Sequence, residues 1–248
     1  MITIEGDTIA ECHEQVIDYI MTHGTVKVTE DGETVRQLEE PISIKIRHPF
    51  REPMIHPGSE YGPRFAEEYV KKILYTTPLK HDGTDPTYTY GNRFRTYPAS
   101  FRFSMNTLIG KILKFFGLQK SYYSLPTDQI WDMIFRLCKN PNSRRAVAIT
   151  WVPSEDSFSD EPPCLQLVQA TVIESDLNLF AYFRSNDMLS AWGQNAYALS
   201  YLQNHIAHGT NCDSGWLEIV SHNAHIYFKR DATALQKIRD KRINPVIS

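Results

Sequence analysis

Pro162-Pro163-Cys164-Leu165-Gln166-Leu167-Val168-Gln169-Ala170-Thr171-Val172-Ile173 runs into Glu174-Ser175-Asp176 and then Leu177-Asn178-Leu179-Phe180-Ala181-Tyr182-Phe183-Arg184-Ser185-Asn186-Asp187. The runs Leu165 to Ile173 and Leu177 to Phe183 are rich in β-branched and aromatic residues and are separated by turn formers, so they read as a strand pair joined at Glu174-Ser175-Asp176. The pair brings Cys164 and Arg184 toward one polar pocket. A guanidinium beside a cysteine favours the thiolate, which is the nucleophilic form.

Working outward, apolar residues from Ala196 to Ala207 predict a long helix, followed by a strand from Trp216 to Val220 and the segment Ala224 to Phe228. Upstream, Thr8 caps a helix carrying Ile9, Cys12, Val16, Ile17 and Ile20 at helical spacing, and Gly24 ends it. Val26 and Val28 lead into the hairpin signal Asp31-Gly32, Ile42, Ile44 and Ile46 alternate as a strand, and a Pro-rich loop spans His48 to Pro63. Helices are expected over Phe65 to Tyr75, Met105 to Phe116 and Asp128 to Cys138, the last capped by Thr127. A strand is expected from Ala146 to Trp151. Tyr88-Thr89-Tyr90-Gly91-Asn92-Arg93-Phe94-Arg95 is too aromatic for idle linker. The mixed order of elements predicts an α+β fold, with residues 1–248 as a single domain built on a mixed, largely antiparallel sheet with packed helices. The charged and then apolar end, Asp240 to Ser248, reads as a frayed or capping tail.

With 248 residues, 42% of them hydrophobic, the chain can bury one full-sized core. A net charge of −3 supplies no global attraction for nucleic acid or anionic membranes, so an anionic ligand must be held by locally gathered arginines. No run approaches the length of a membrane span, and the amino terminus lacks a basic, apolar leader, which predicts a soluble, cytoplasmic protein. Cys12, Cys138, Cys164 and Cys212 have neither metal-ligand spacing nor disulfide-scaffold density. No metal is implied, and three of the four thiols are expected to be inert.

Ser143-Arg144-Arg145, Pro163-Cys164, Gln169, Arg184-Ser185-Asn186-Asp187, Asn195 and Ala224-His225-Ile226-Tyr227 occur in an order and spacing that resemble the thymidylate synthase family, with an archaeal-like first third. The resemblance implies reductive methylation of dUMP to dTMP. Cys164 would add to C6 of uracil, and C5 would then attack the iminium form of a methylene-carrying reduced pterin. Elimination would give an exocyclic methylene that takes a hydride from the pterin. The donor would be methylene-tetrahydrofolate or methylene-tetrahydromethanopterin.

By the same resemblance, Arg184 is a phosphate ligand that also lowers the thiol pKa, and Ser185 adds a hydroxyl. Arg144 and Arg145 would reach a partner's phosphate across a homodimer interface, and Gln169 faces the pocket side of its strand. Read locally, these arginines are equally solvated charges or surface ion pairs. Asn195 suits N3–H and O4 of uracil, so it argues for dUMP over dCMP. Asp187, otherwise a helix cap, would accept from the pterin. His225 and Tyr227 share one strand face and would hold the sugar 3′-hydroxyl. Tyr90 would organise the water that removes the C5 proton, and Arg95 falls near the ring.

Departures from the common bacterial pattern are Leu165 for histidine, Asn223 for aspartate and Gly193-Gln194 for Pro-Phe. The family's phosphate loop has no clear match, with Arg47 and Arg51 as candidates for its replacement, and its proton-relay glutamate is unplaced, with Glu60 as a candidate. One rival activity is pyrimidine nucleotide hydroxymethylation, in which water traps the methylene and Trp192 and Trp216 would govern its entry. The other is a silent nucleotide sensor or RNA-binding regulator, disfavoured by the acidic balance and the lack of a basic stacking stripe. Neither nucleic acid nor membrane is required by the leading reading.

Overall fold

A computed structural model describes residues 1–79, 87–102, 112 and 122–243. Its central sheet runs in the order β1 (Ile2–Gly6), β4 (Ile42–Ile46), β10 (Asp213–Ile226), β9 (Asp176–Asp187), β8 (Leu165–Ile173) and β7 (Val147–Ile149). The hairpin of β2 (Thr25–Val28) and β3 (Thr34–Gln37) joins through β3 to the far end of β10. Among the described strands of this sheet, only β1–β4 and β9–β10 are parallel; the other pairings are antiparallel. The expected α+β architecture with a mixed, largely antiparallel sheet is therefore observed. Ile42, Ile44 and Ile46 are fully buried, as their alternation predicts.

Helix α1 (Ile9–His23) opens with a capping box: Glu11 N–H donates to Thr8 Oγ1, and the Glu11 carboxylate reaches back to the Thr8 amide. Gly24 is the C-cap, its backbone extended and its amide donating to the Ile20 carbonyl, and a Cβ there would press on that carbonyl at 2.6 Å. Helix α2 (Pro63–Leu74) buries Ala66, Val70, Ile73 and Leu74, a stripe at helical spacing. It is followed by a short helix, α3 (Tyr90–Arg95), and the strand pair β5 (Tyr97–Arg102) and β6 (Tyr122–Thr127). The expected helix from Met105 to Phe116 lies, apart from Ile112, outside the described residues.

Asp128, not Thr127, caps α4 (Gln129–Lys139): its carboxylate accepts from the Trp131 amide at 2.9 Å. Thr127 instead ends β6, so its backbone is already committed to a strand. A single turn, α5 (Pro153–Asp156), precedes β8. Helix α6 (Trp192–Thr210) exceeds the expected span at both ends and links parallel strands β9 and β10 as a crossover. The two downstream strand segments are one strand, β10. It is broken in register between Ser214 and Leu217, where Asn178 Oδ1 accepts from the Trp216 amide and Gln203 Nε2 meets the carbonyls of Leu177, Gly215 and Trp216.

Helix α7 (Ala232–Asp240) packs against the loop at Gly58, and Arg242 and the Ile243 amide anchor the chain on α1 through Asp18 and Glu14. Residues 244–248 lie outside the described set. Among the described residues, no helix is long and apolar enough to cross a membrane.

One close approach fixes where α3 sits. A Cβ on Gly91 would collide with the Tyr75 carbonyl and lie 2.8 Å from that of Lys72, both backbone atoms at the end of α2. Gly91→Ala therefore forces α3 off α2 and is expected to destabilise the fold by about 1–3 kcal/mol. Urea unfolding checks this; an unchanged midpoint would show that the two helices separate freely.

Candidate active site

Tyr69 and Lys72 lie one turn apart on α2, Tyr88 to Tyr90 lead into α3, Cys164 precedes β8, and Arg184 to Asp187 end β9. These line a cavity of about 590 Å³, together with Asn195 of α6 and His225 and Tyr227 at the end of β10. Asp31, at the β2–β3 turn, and Glu161 also reach it. The volume is in the range of small-molecule sites.

Cys164 is placed by the first contacts of the β8–β9 pair. The Arg184 amide donates to the Cys164 carbonyl at 2.9 Å, and Leu165 is in register with Phe183. The Arg184 guanidinium folds back, Nε to the Pro163 carbonyl at 3.0 Å and one terminal nitrogen to the Pro162 carbonyl at 2.7 Å. The thiol pKa nevertheless does not fall. Burial raises it from the ordinary value near 9, and Arg184 offsets only part of that rise. The guanidinium acts in the expected direction but is outweighed by desolvation, so the resting sulfur is a protonated thiol.

Around the sulfur stand three phenols. Tyr90 Oη accepts from the Leu165 amide at 3.2 Å, while Tyr88 sits in hydrogen-bonding range of Tyr90 and of the Cys164 backbone. Burial lifts all three phenols above their ordinary range, Tyr88 to about 12. The third, Tyr69, donates to Asn195 Oδ1 at 2.8 Å, and Asn195 Nδ2 donates to Asn186 Oδ1 at 3.3 Å.

Asp187 turns the chain toward α6: its Oδ1 accepts from the amides of Leu189 and Ser190, both at 3.1 Å. Burial raises its carboxyl pKa, and among the described residues Oδ2 meets only Arg230, at 3.4 Å, which leaves acceptor capacity for a ligand. His225 Nδ1 lies 3.0 Å from the Asn223 carbonyl, which puts the proton on Nδ1 and leaves Nε2 to accept. Its ring stands edge-on to Tyr227, with centroids 5.0 Å apart.

Several expected residues lie elsewhere. Gln169 pairs with Phe180, four residues along β9 from Arg184; at strand rise that is about 13 Å, and it does not line the cavity. Arg144 and Arg145 are exposed on the loop before β7, also outside it. Arg47 and Arg51 pair with Glu5 and Asp7 and do not line this cavity. Glu60 bonds Lys237 on the surface. Arg95 ties α2, α4 and α6 together through the Leu74 carbonyl, Asp128 and His205. Trp192 is buried against His13, and Trp216 lies under Lys45. Gly193 has a local reason: a Cβ there would sit 3.0 Å from His13 Nδ1.

Tyr69, Lys72 and Asp31 are cavity residues that the sequence reading did not single out. The only signal was the i, i+3 spacing of Tyr69 and Lys72 beside the apolar stripe of α2. Among the described residues, no cluster of His, Cys, Asp and Glu is arranged to hold a metal.

A thymidylate synthase family model matches residues 68–247 of this chain. Similar proteins include those named putative thymidylate synthase from Methanosarcina barkeri, 29% identical over 90% of this chain and 88% of the relative, and from Methanocaldococcus jannaschii, 31% identical over 96% of each. The counterpart of the same name from Methanothermobacter thermautotrophicus is 31% identical over 91% of this chain and 93% of its own. The chain belongs to the thymidylate synthase family, on its archaeal-like side.

A protonated resting thiol has a direct readout. Alkylation of Cys164 by iodoacetamide, followed by peptide mass spectrometry, is expected to accelerate about tenfold per pH unit to beyond pH 9, and Arg184→Gln should slow it at every pH. A plateau reached below pH 8 would contradict this balance of burial and charge.

Proposed function

We propose that this protein methylates dUMP to dTMP, with Cys164 as the covalent nucleophile and a methylene-carrying reduced pterin as co-substrate. The observation that carries the reading is that the Cys164 thiol shares one cavity with the Asn195 amide, Arg184-Ser185 and Asp187.

The sulfur adds to C6 of the uracil ring, the C5–C6 π pair moves toward O4, and the thiol proton passes to water in the open cavity. Covalent addition makes C5 nucleophilic and divides one difficult substitution into easier steps. Asn195 holds the N3–H and O4 edge. His225 Nε2 and Tyr227 take the sugar hydroxyl. Tyr90, fixed by the Leu165 amide, positions the water that receives the C5 proton. Arg184 and Ser185 face the phosphate. Asp187, with acceptor capacity left on Oδ2, fits the N–H edge of a pterin ring. When bound, the pterin supplies a one-carbon unit and a hydride.

Among the described residues, Lys72 and Arg184 are the lining Lys/Arg side chains, set against Asp31, Glu161 and Asp187. A phosphate dianion calls for further positive charge. Arg144 and Arg145, exposed and without side-chain partners among the described residues, supply it from a second copy of the chain. Half-exposed Leu167, Phe180 and Tyr182 on β8 and β9 favour such a homodimer. Free cysteines suit a reducing, cytoplasmic setting.

Release of tritium from C5-labelled dUMP tests the reading when each methylene pterin is supplied in turn. One donor is expected to give release together with a product of methylated mass, and Cys164→Ser should abolish release while keeping dUMP bound. A product heavier by an oxygen would establish hydroxymethylation instead, and no release with either donor would overturn catalysis.

A further inference from the structure

An asparagine amide is symmetric in shape but not in chemistry. With Oδ1 toward N3–H and Nδ2 toward O4 it complements uracil; turned by half a revolution, it complements N3 and the 4-amino group of cytosine. Asn195 by itself therefore does not choose between the two bases. What chooses is whatever stops the amide from turning.

The structure supplies that stop as a chain of four side chains. The Tyr69 hydroxyl donates to Asn195 Oδ1 at 2.8 Å, Asn195 Nδ2 donates to Asn186 Oδ1 at 3.3 Å, and Asn186 Nδ2 donates to Ser221 Oγ at 3.2 Å. Asn186, Asn195 and Ser221 are buried, Ser221 completely, so an unpaired group in the chain has little water to fall back on. Turning Asn195 alone sets its oxygen against the oxygen of Asn186. Turning Asn186 as well requires Ser221 to reverse its hydroxyl and Tyr69 to become an acceptor, leaving the phenolic proton to find another partner.

We infer that Tyr69, at the cavity end of this chain, is a specificity-determining positioning residue that holds the Asn195 amide in the orientation for uracil nucleotides. Tyr69 does so as a donor to Oδ1, a contact that favours one rotamer of Asn195 over the other. The inference rests on the dUMP reading above and adds to it the group that enforces the choice of base.

The test is calorimetric titration of dUMP and dCMP into the full chain and its Tyr69→Phe variant, which keeps the ring and removes only the hydroxyl. Removing one such hydrogen bond is expected to lower the dUMP-over-dCMP preference roughly five- to tenfold, with dCMP gaining affinity. A matched circular dichroism spectrum and melting temperature show that the variant is folded. A hydroxyl that is merely structural would weaken both nucleotides alike, and an unchanged ratio overturns the inference while leaving the dUMP reading intact. Failure of the unaltered protein to bind dUMP overturns that reading, and the inference with it.

Discussion

The register of β8 against β9 is the constraint on which the site depends. Leu165 faces Phe183, the Arg184 amide holds the Cys164 carbonyl, and the Arg184 guanidinium ties down the two prolines before the thiol. A slip of one residue would carry Cys164 and Arg184 to opposite faces of the sheet. Because β9 continues through Ser185 to Asp187, and β10 lies parallel beside it, the separate β9–β10 register places His225 next to Asp187. Thiol, cation and carboxylate are thus fixed by one set of backbone hydrogen bonds.

The site is also shaped by what the sheet does not supply. Helix α2 brings Tyr69 and Lys72 over the strand ends, and the close fit of Gly91 against the end of α2 seats Tyr90 beside the amide that follows Cys164. Burial then governs the chemistry. It raises the phenols further and raises the thiol despite the neighbouring guanidinium, so the resting pocket is primed by position more than by charge. Among the described lining residues, the acids Asp31, Glu161 and Asp187 outnumber the cations Lys72 and Arg184.

Much of this was legible from residues alone. The strand pair flanking Glu174-Ser175-Asp176, the Thr8 cap and the Ile42 to Ile46 alternation follow from local rules that the tertiary structure does not oppose. Cys164, Arg184, Ser185, Asp187, Asn195, His225 and Tyr227 meet in one cavity because strand ends collect motif residues there. Other expected residues lie away from the cavity because of distance along an element or a nearer partner. Gln169 lies too far along β8, Glu5 and Asp7 take Arg47 and Arg51, and Lys237 takes Glu60. Tyr69 was hidden because a tyrosine beside an apolar helical stripe looks like ordinary packing until its hydroxyl is seen on Asn195.

The most direct test of the claim that register has made Cys164 a nucleophile uses 5-fluoro-dUMP, whose fluorine cannot leave as the C5 proton does. The protein is incubated with this analogue and a methylene pterin, digested, and mapped by mass spectrometry. The account predicts that the peptide containing Cys164 carries the nucleotide. Nucleotide bound to the folded protein with that peptide unmodified, or attached to Cys12, Cys138 or Cys212, would contradict it.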